Sequence, residues 1–516
     1  MNRTELVVAA AGLALLLCAT AFLARGHDSV AEVALNGGAA CPAVPTSVIE
    51  PPGGNARGAV LIFHGLGANR VVMLATGRPF AAAGFRVYVP DMPGHGSNPA
   101  PFSFAASEAC ARGLVSRHLS SAAGEAIPLI LVGHSMGGGL AIRLADDSAA
   151  AATIAIATGP IVRPHRLPPN LLLVAPQFDM PPILDMERTL AEAAGAERTS
   201  AEDFRQRRAF RLLPVPWRTH TSVVFDGGAV DAMVRWALNS AGDSNVATKP
   251  PDFSMLYAGL IGLLGIILMF PAAATATARL AGFPAQPVIS EPARPRALAF
   301  LVWTSAVLLA TVVVITTGIV PLRGLHIAGS DYVASLLLLA AFLAAVPLAL
   351  ILRRQQSQNA PADTRLLSAL FCSAAVALAL VLAAGSWLNA HVTEVFPTPS
   401  RWLRFPFLVL ALLPACLIEE WILGPPGPLS RLGNWPRLAV FVVLRTIVWL
   451  AIFAAWSAGS DAALLSVLFV AFLAALSFAQ RVGADALRRR TGVLAAGALF
   501  SAILAAWFLA AVFPLA

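Results

Sequence analysis

Eight apolar runs fill the second half of the chain, at about 254–277, 297–320, 331–352, 366–388, 405–424, 437–457, 462–480 and 492–515. About 20 such residues cross the hydrocarbon of a bilayer. Backbone at that depth must satisfy its own hydrogen bonds, so each run is expected to be a helix. A ninth run, 6–23, lies between Arg3 and Arg25 and is expected to be an uncleaved anchor. Ala19-Thr20-Ala21 leaves a cleaved signal peptide as the alternative. Charged residues make up only 12% of the chain, against about 25% in soluble proteins. That is too few to cover a water-facing surface of this size.

Arginine sets the orientation of such a chain. With the N-terminus cytoplasmic, the inner loops hold Arg279, Arg294, Arg296, Arg353, Arg354, Arg365, Arg431, Arg437, Arg481, Arg488, Arg489 and Arg490, and the outer loops only Arg323, Arg401 and Arg404, twelve against three. Residues 25–252 and the C-terminus are then expected outside, in a multi-pass membrane protein of which the bacterial inner membrane is the expected home. The net charge of +8 does not mark a nucleic-acid partner. Residues 25–252 hold 19 basic and 19 acidic side chains, and the remainder holds 36 − 19 = 17 against 28 − 19 = 9, so the whole excess lies in the loops between apolar runs. A nucleic-acid footprint would instead be a basic face on a folded domain.

Residues 45–245 have a different pattern. Short β-rich runs at 58–63, 85–90, 127–133, 153–158, 171–175 and 210–215 alternate with amphipathic stretches, the pattern of a parallel sheet covered by helices on both faces. The expected organisation is thus an anchor or signal (1–25), an α/β domain (45–245), a linker (246–253) built around Lys249-Pro250-Pro251-Asp252, and an eight-helix membrane domain (254–516).

The chemistry is concentrated at Gly133-His134-Ser135-Met136-Gly137, where a strand runs into a helix-like stretch. Gly133 and Gly137 permit the tight turn that lifts a serine hydroxyl above a sheet edge. The Met136 amide, opening the helix, lies where an oxyanion would form.

With His64-Gly65-Leu66-Gly67 after one strand and Asp91-Met92-Pro93-Gly94-His95-Gly96-Ser97 after the next, the segment 58–240 resembles the α/β-hydrolase superfamily, in the branch of serine aminopeptidases, monoacylglycerol lipases and related esterases. The resemblance implies Ser135 as nucleophile. It also implies a second oxyanion amide on Leu66 (Gly65 being the neighbouring alternative) and a bracing role for His64 and His95. Chain order in this fold is serine, acid, histidine. Asp179 follows the strand at 171–175 where the family places its acid, with Asp185 and Glu187 as fallbacks. His220 lies between the last strand and the helix expected at 228–238, where the family places its base; His165 precedes Asp179 and is out of order. His134, inside the elbow, is expected to pack there or to support the site residues from behind.

Only 159–169 joins two strands between which many relatives insert a helical cap. An α/β-hydrolase sheet without a large cap is therefore expected, its site open or roofed by the membrane domain. The reaction expected is cleavage of carboxylic esters or acyl groups, those of lipids included, with no cofactor. Aminopeptidase activity of the same fold and a transporter or scaffold with a non-catalytic hydrolase-like domain are the alternatives. The partners expected are a small ester or lipid and the bilayer.

Cys41 and Cys110 are the two cysteines of the exported portion, as a disulfide or as two buried thiols. No metal or nucleotide motif is present. Within the membrane region, Glu419, Glu420 and Arg445 stand out; an interhelical ion pair is the expected reading. Paired glutamates also open the prenyl-endopeptidase signature, but Gly424 stands where that signature has arginine.

Overall fold

The structure is a computed structural model, which describes residues 3–25, 30–39, 41–119, 127–145, 149–159, 166–283, 294–353, 365–425, 435–458 and 470–515. The chain forms two compact units. A sheet unit comprises Thr20–Leu260, Leu388–Val395 and Pro514–Ala516; a helical unit comprises Met1–Ala19, Ile261–Trp387 and Phe396–Phe513. His165, Arg354 and Arg431 lie outside the described residues.

The sheet unit is built on eight strands: β1 (Val30–Leu35), β2 (Val44–Ile49), β3 (Ala59–Phe63), β4 (Arg86–Pro90), β5 (Leu129–His134), β6 (Ala152–Ile156), β7 (Leu171–Phe178) and β8 (Phe210–Thr219). Their order is β1-β2-β4-β3-β5-β6-β7-β8, antiparallel from β1 to β4 and parallel from β4 onward. The six strands read from the apolar runs are β3 to β8. Burial on both faces explains why β3 and β5 lie in the centre: Val60, Ile62, Ile130 and Val132 face one apolar layer, while Leu61, Phe63, Leu129 and Leu131 face another. Successive side chains of a strand point to opposite faces, and both faces here are covered.

Helix α2 (Arg70–Ala82) packs on one face of the sheet with α7 (Gly227–Ser240), while α3 (Phe104–Leu114) and α4 (Met136–Ala145) pack on the other. Helix α5 (Pro181–Ala194) places Leu190 and Ala194 on Leu171, Leu173 and Phe210. The short α6 (Ala201–Arg205) carries a capping box made by Ser200 and Asp203. Leu515 also belongs to this unit: its N–H donates to the Gly94 carbonyl at 3.0 Å, and its own carbonyl accepts from Phe102 at 2.6 Å.

The remaining helices are α1 (Arg3–Leu23), α8 (Ser254–Leu280), α9 (Arg294–Thr317), α10 (Ser330–Arg353), α11 (Leu366–His391), α12 (Pro399–Leu423), α13 (Trp435–Ser457), α14 (Val470–Thr491) and α15 (Leu494–Val512). Among the described residues, eight helices are long and apolar enough to cross a membrane: α1, α8 to α13 and α15. The run expected at 462–480 begins outside the described residues and continues as α14, whose last turn carries Arg488, Arg489 and Arg490. Glu419 pairs with Arg445 at 3.0 Å, and Glu420 with Arg481 at 2.6 Å and Arg488 at 3.1 Å. These pairs join α12 to α13 and α14, so the buried charges are compensated between helices.

Candidate active site

The elbow follows from local geometry. Strand β5 ends at His134, α4 begins at Met136, and Ser135 between them has φ +54°. The left-handed region strains any residue but glycine, and such strain is tolerated where the surroundings enforce it. Here the Ser135 N–H donates to the Ile156 carbonyl at 2.8 Å, and its carbonyl accepts from Gly159 at 3.0 Å. The flanking glycines are required by space. A Cβ on Gly133 would sit 2.0 Å from the Gly137 carbonyl oxygen, and one on Gly137 2.3 Å from that of Phe63. Met136 is the first residue of α4, so its N–H is among the helix amides without an intrahelical acceptor.

Asp179 follows β7 directly, and His220 follows β8 in a turn closed by the Thr219 N–H to Ser222 Oγ at 2.9 Å. His220 Nδ1 lies 2.9 and 3.0 Å from the two carboxylate oxygens of Asp179. Asp179 Oδ1 also accepts the Met180 N–H at 2.7 Å. The imidazole therefore carries its proton on Nδ1, and Nε2 is the basic nitrogen. Nε2 is buried and makes no hydrogen bond.

His134 ties this pair to the elbow. Its Nε2 donates to the His220 carbonyl at 2.8 Å, and the two rings lie 4.9 Å apart. Burial, helped by the neighbouring His220, pushes His134 down to about 3, so it remains neutral and keeps that donor. Of the two roles expected of it, this contact supports the second, support of the site from behind. It holds the backbone of His220 while Asp179 holds the ring.

The loop after β3 closes the site from the other side. A Cβ on Gly65 would come 2.8 Å from His134 Nδ1 and 3.2 Å from Ser135 Cβ, so the Gly65–Leu66 backbone runs against Ser135. His64 Nδ1 donates to the Gly65 carbonyl at 2.8 Å, and its Nε2 accepts the Met92 N–H at 3.0 Å. Burial lowers His64 to about 4. His95 Nδ1 donates to the Pro93 carbonyl at 2.9 Å. Both histidines brace turns.

The model of the family described as serine aminopeptidase, S33, matches residues 54–194. The mainly parallel sheet region is α/β-hydrolase-like in fold. A comparison with curated proteins finds no match. Solved structures similar to the chain include a dienelactone hydrolase from Anabaena variabilis, 19% identical over 41% of this chain and 96% of that one, with a TM-score of 0.31. An esterase from Pyrobaculum calidifontis is 17% identical over 48% and 94%, with a TM-score of 0.33. A monoacylglycerol lipase from Paleococcus ferrophilus is 16% identical over 38% and 99%, with a TM-score of 0.29.

Of the fallback acids, Asp185 is exposed and pairs with Arg188. Glu187 is buried, and its Oε1 accepts the Thr158 N–H at 3.3 Å. Burial first, then the charge of Asp179, pushes Glu187 up to about 8, so at neutral pH it is a protonated neighbour of the acid. Cys41 and Cys110 are joined in a disulfide with Cα atoms 5.7 Å apart, tying the segment before β2 to α3. Among the described residues, no group of three or more His, Cys, Asp or Glu is placed to hold a metal ion.

Proposed function

We propose that the hydrolase cleaves carboxylic esters or acyl groups through a Ser135 acyl-enzyme. Ser135 Oγ attacks the carbonyl carbon while His220 Nε2 takes its proton. Asp179 fixes the tautomer and stabilises the imidazolium. The Leu66 and Met136 amides donate to the oxyanion, whose charge develops only in the transition state. His220 then returns the proton to the leaving group, and the same base activates the water that releases the acid. One observation supports this above all: His220 is bonded to Asp179 through Nδ1 while Nε2 stays buried and unbonded beside the elbow.

We place the reaction on the extracytoplasmic side, with a lipid or acylated compound as the favoured substrate. The Arg distribution supports this side, as does the disulfide, which persists in oxidising compartments. The segments Leu388–Val395 and Pro514–Ala516 share the compact unit of the hydrolase, and in the orientation set by arginine all three fall on that side. The description of the matched family favours a second reading, aminopeptidase activity.

The purified full-length protein should be assayed on p-nitrophenyl esters of increasing chain length and on aminoacyl p-nitroanilides, beside Ser135→Ala. Ester turnover lost in the variant is expected. Turnover of anilides alone would favour the peptidase, and full ester turnover by the variant would leave only a binding domain.

A further inference from the structure

A second buried polar cluster lies within the hydrolase unit, on the far side of the loop that carries Leu66. Arg70, the first residue of α2, donates from its backbone N–H to Asp91 Oδ1 at 2.8 Å and from Nε to Asp91 Oδ2 at 3.2 Å. Its Nη1 donates to Ser47 Oγ at 2.9 Å and Glu32 Oε1 at 2.6 Å, and its Nη2 to Glu394 Oε1. Ser97 Oγ also donates to Glu394 Oε1, at 2.9 Å. Glu394 comes from Leu388–Val395, between α11 and α12 in sequence yet part of this unit.

Backbone contacts complete the clamp. Asn69 Nδ2 donates to Thr393 Oγ1 at 2.9 Å and to the Glu394 carbonyl at 3.2 Å, while Asn69 Oδ1 accepts the Glu394 N–H at 3.3 Å. Asn69 is also the N-cap of α2, three residues after Leu66. The Ala68 N–H donates to the Gly65 carbonyl at 3.1 Å, closing the turn between them.

Glu394 Oε2 and Asp91 Oδ2 converge over the bare Cα of Gly96, where a Cβ would lie 2.4 Å from each. Glu394 Oε2 is buried, and no donor from another residue reaches it. Two carboxyl groups side by side bond only through a proton. We propose that Leu388–Val395 braces the oxyanion loop, with Glu394 as its positioning residue and a proton shared between Glu394 and Asp91 as the condition for bracing. The inference rests on the proposed Ser135 chemistry.

Burial, then the charge of Asp91 and its hydrogen bond, push Glu394 up to about 8. Asp91 is also raised by burial. The other charged or titratable groups facing the pair are Arg70, Glu32 bonded to Arg70, and His64, which stays neutral. Loss of the shared proton, as Glu394 titrates, leaves two adjacent buried carboxylates against the one guanidinium of Arg70. Because the bound state holds the proton more tightly than an ordinary glutamate, bracing is strongest below pH 4.5, weakens as pH rises from there, and is lost above about 8.

The test uses the full-length protein in detergent, with kcat and KM for a short p-nitrophenyl ester from pH 6 to 10. Wild type is expected to lose kcat above about pH 8 with KM little changed. Glu394→Ala should lower kcat about 10- to 100-fold between pH 6 and 8, as a misplaced oxyanion donor does, and converge on wild type at higher pH. Glu394→Gln, which keeps a donor facing Asp91 without the titration, should recover most of the loss and abolish the alkaline fall. An unchanged alkaline fall in Glu394→Gln overturns the brace, even if the Ala variant does not fold. Fluorophosphonate labelling run alongside separates the two readings. Absence of a Ser135 adduct in wild type overturns both, whereas labelling with an unaltered profile overturns the brace alone.

Discussion

Replacing Asp179 by Asn changes one atom and reverses one hydrogen bond. In the wild type both carboxylate oxygens face His220 Nδ1, at 2.9 and 3.0 Å, and Oδ1 also accepts the Met180 N–H at 2.7 Å. The Met180 donor requires an acceptor, so the amide oxygen of Asn takes the Oδ1 position and its NH2 takes the other. That NH2 would face a protonated Nδ1 donor to donor at 3.0 Å, and the oxygen 2.9 Å from Nδ1 already accepts from Met180. The imidazole escapes by moving its proton to Nε2, the nitrogen that must accept from Ser135. A triad locked in the wrong tautomer loses about 10⁴-fold in kcat, or about 5.5 kcal/mol of transition-state stabilisation. The substitution is isosteric, so the melting temperature should move little. The assay is steady-state hydrolysis of p-nitrophenyl butyrate by the full-length protein in detergent, with melting followed in the same samples. Glu187 offers no rescue, because burial keeps its carboxyl protonated at neutral pH. A folded Asp179→Asn protein retaining more than a tenth of wild-type kcat would refute the tautomer argument.

Three further outcomes follow from the same geometry. Gly133→Ala forces a Cβ to 2.0 Å from the Gly137 carbonyl oxygen; overpacking of this kind costs about 1–3 kcal/mol, and urea titration should show at least that loss. Removing the disulfide with Cys41→Ser and Cys110→Ser opens a closure of 69 residues, which should cost about 4 kcal/mol and lower the melting temperature by roughly 10 °C; unchanged melting would contradict it. Glu187, raised to about 8, contributes stability that is full below pH 4.5 and is lost as pH rises toward 8. Glu187→Gln should therefore flatten part of the fall in stability between pH 5 and 8, and an identical slope in both proteins would count against a buried protonated carboxyl.

What the sequence made legible depends on how local each signal is. The apolar helices and strands β3 to β8 announce themselves through largely apolar runs of strand or spanning length. Strands β1 and β2 do not. β1 is exposed along most of its length and carries Glu32, and β2 includes Pro45, Thr46 and Ser47, so neither shows the apolar run of a central strand. The elbow is legible because Gly133, Ser135 and Gly137 lie within five residues. Asp179 and His220 are legible because each closes a strand in the expected order. The contact of His134 with the His220 carbonyl spans 86 residues, and that of Arg70 with Glu394 spans 324. No periodicity encodes such pairs, and Glu394 reads locally as one more charge in a loop between spanning helices.

The most direct trial treats intact spheroplasts with a membrane-impermeant fluorophosphonate and locates the adduct by peptide mass spectrometry. A single adduct on Ser135 is expected without permeabilisation, absent from Ser135→Ala and strongly slowed in His220→Ala. Labelling that survives the loss of Ser135, or that appears only after the membrane is broken, would contradict an activated serine facing the outside.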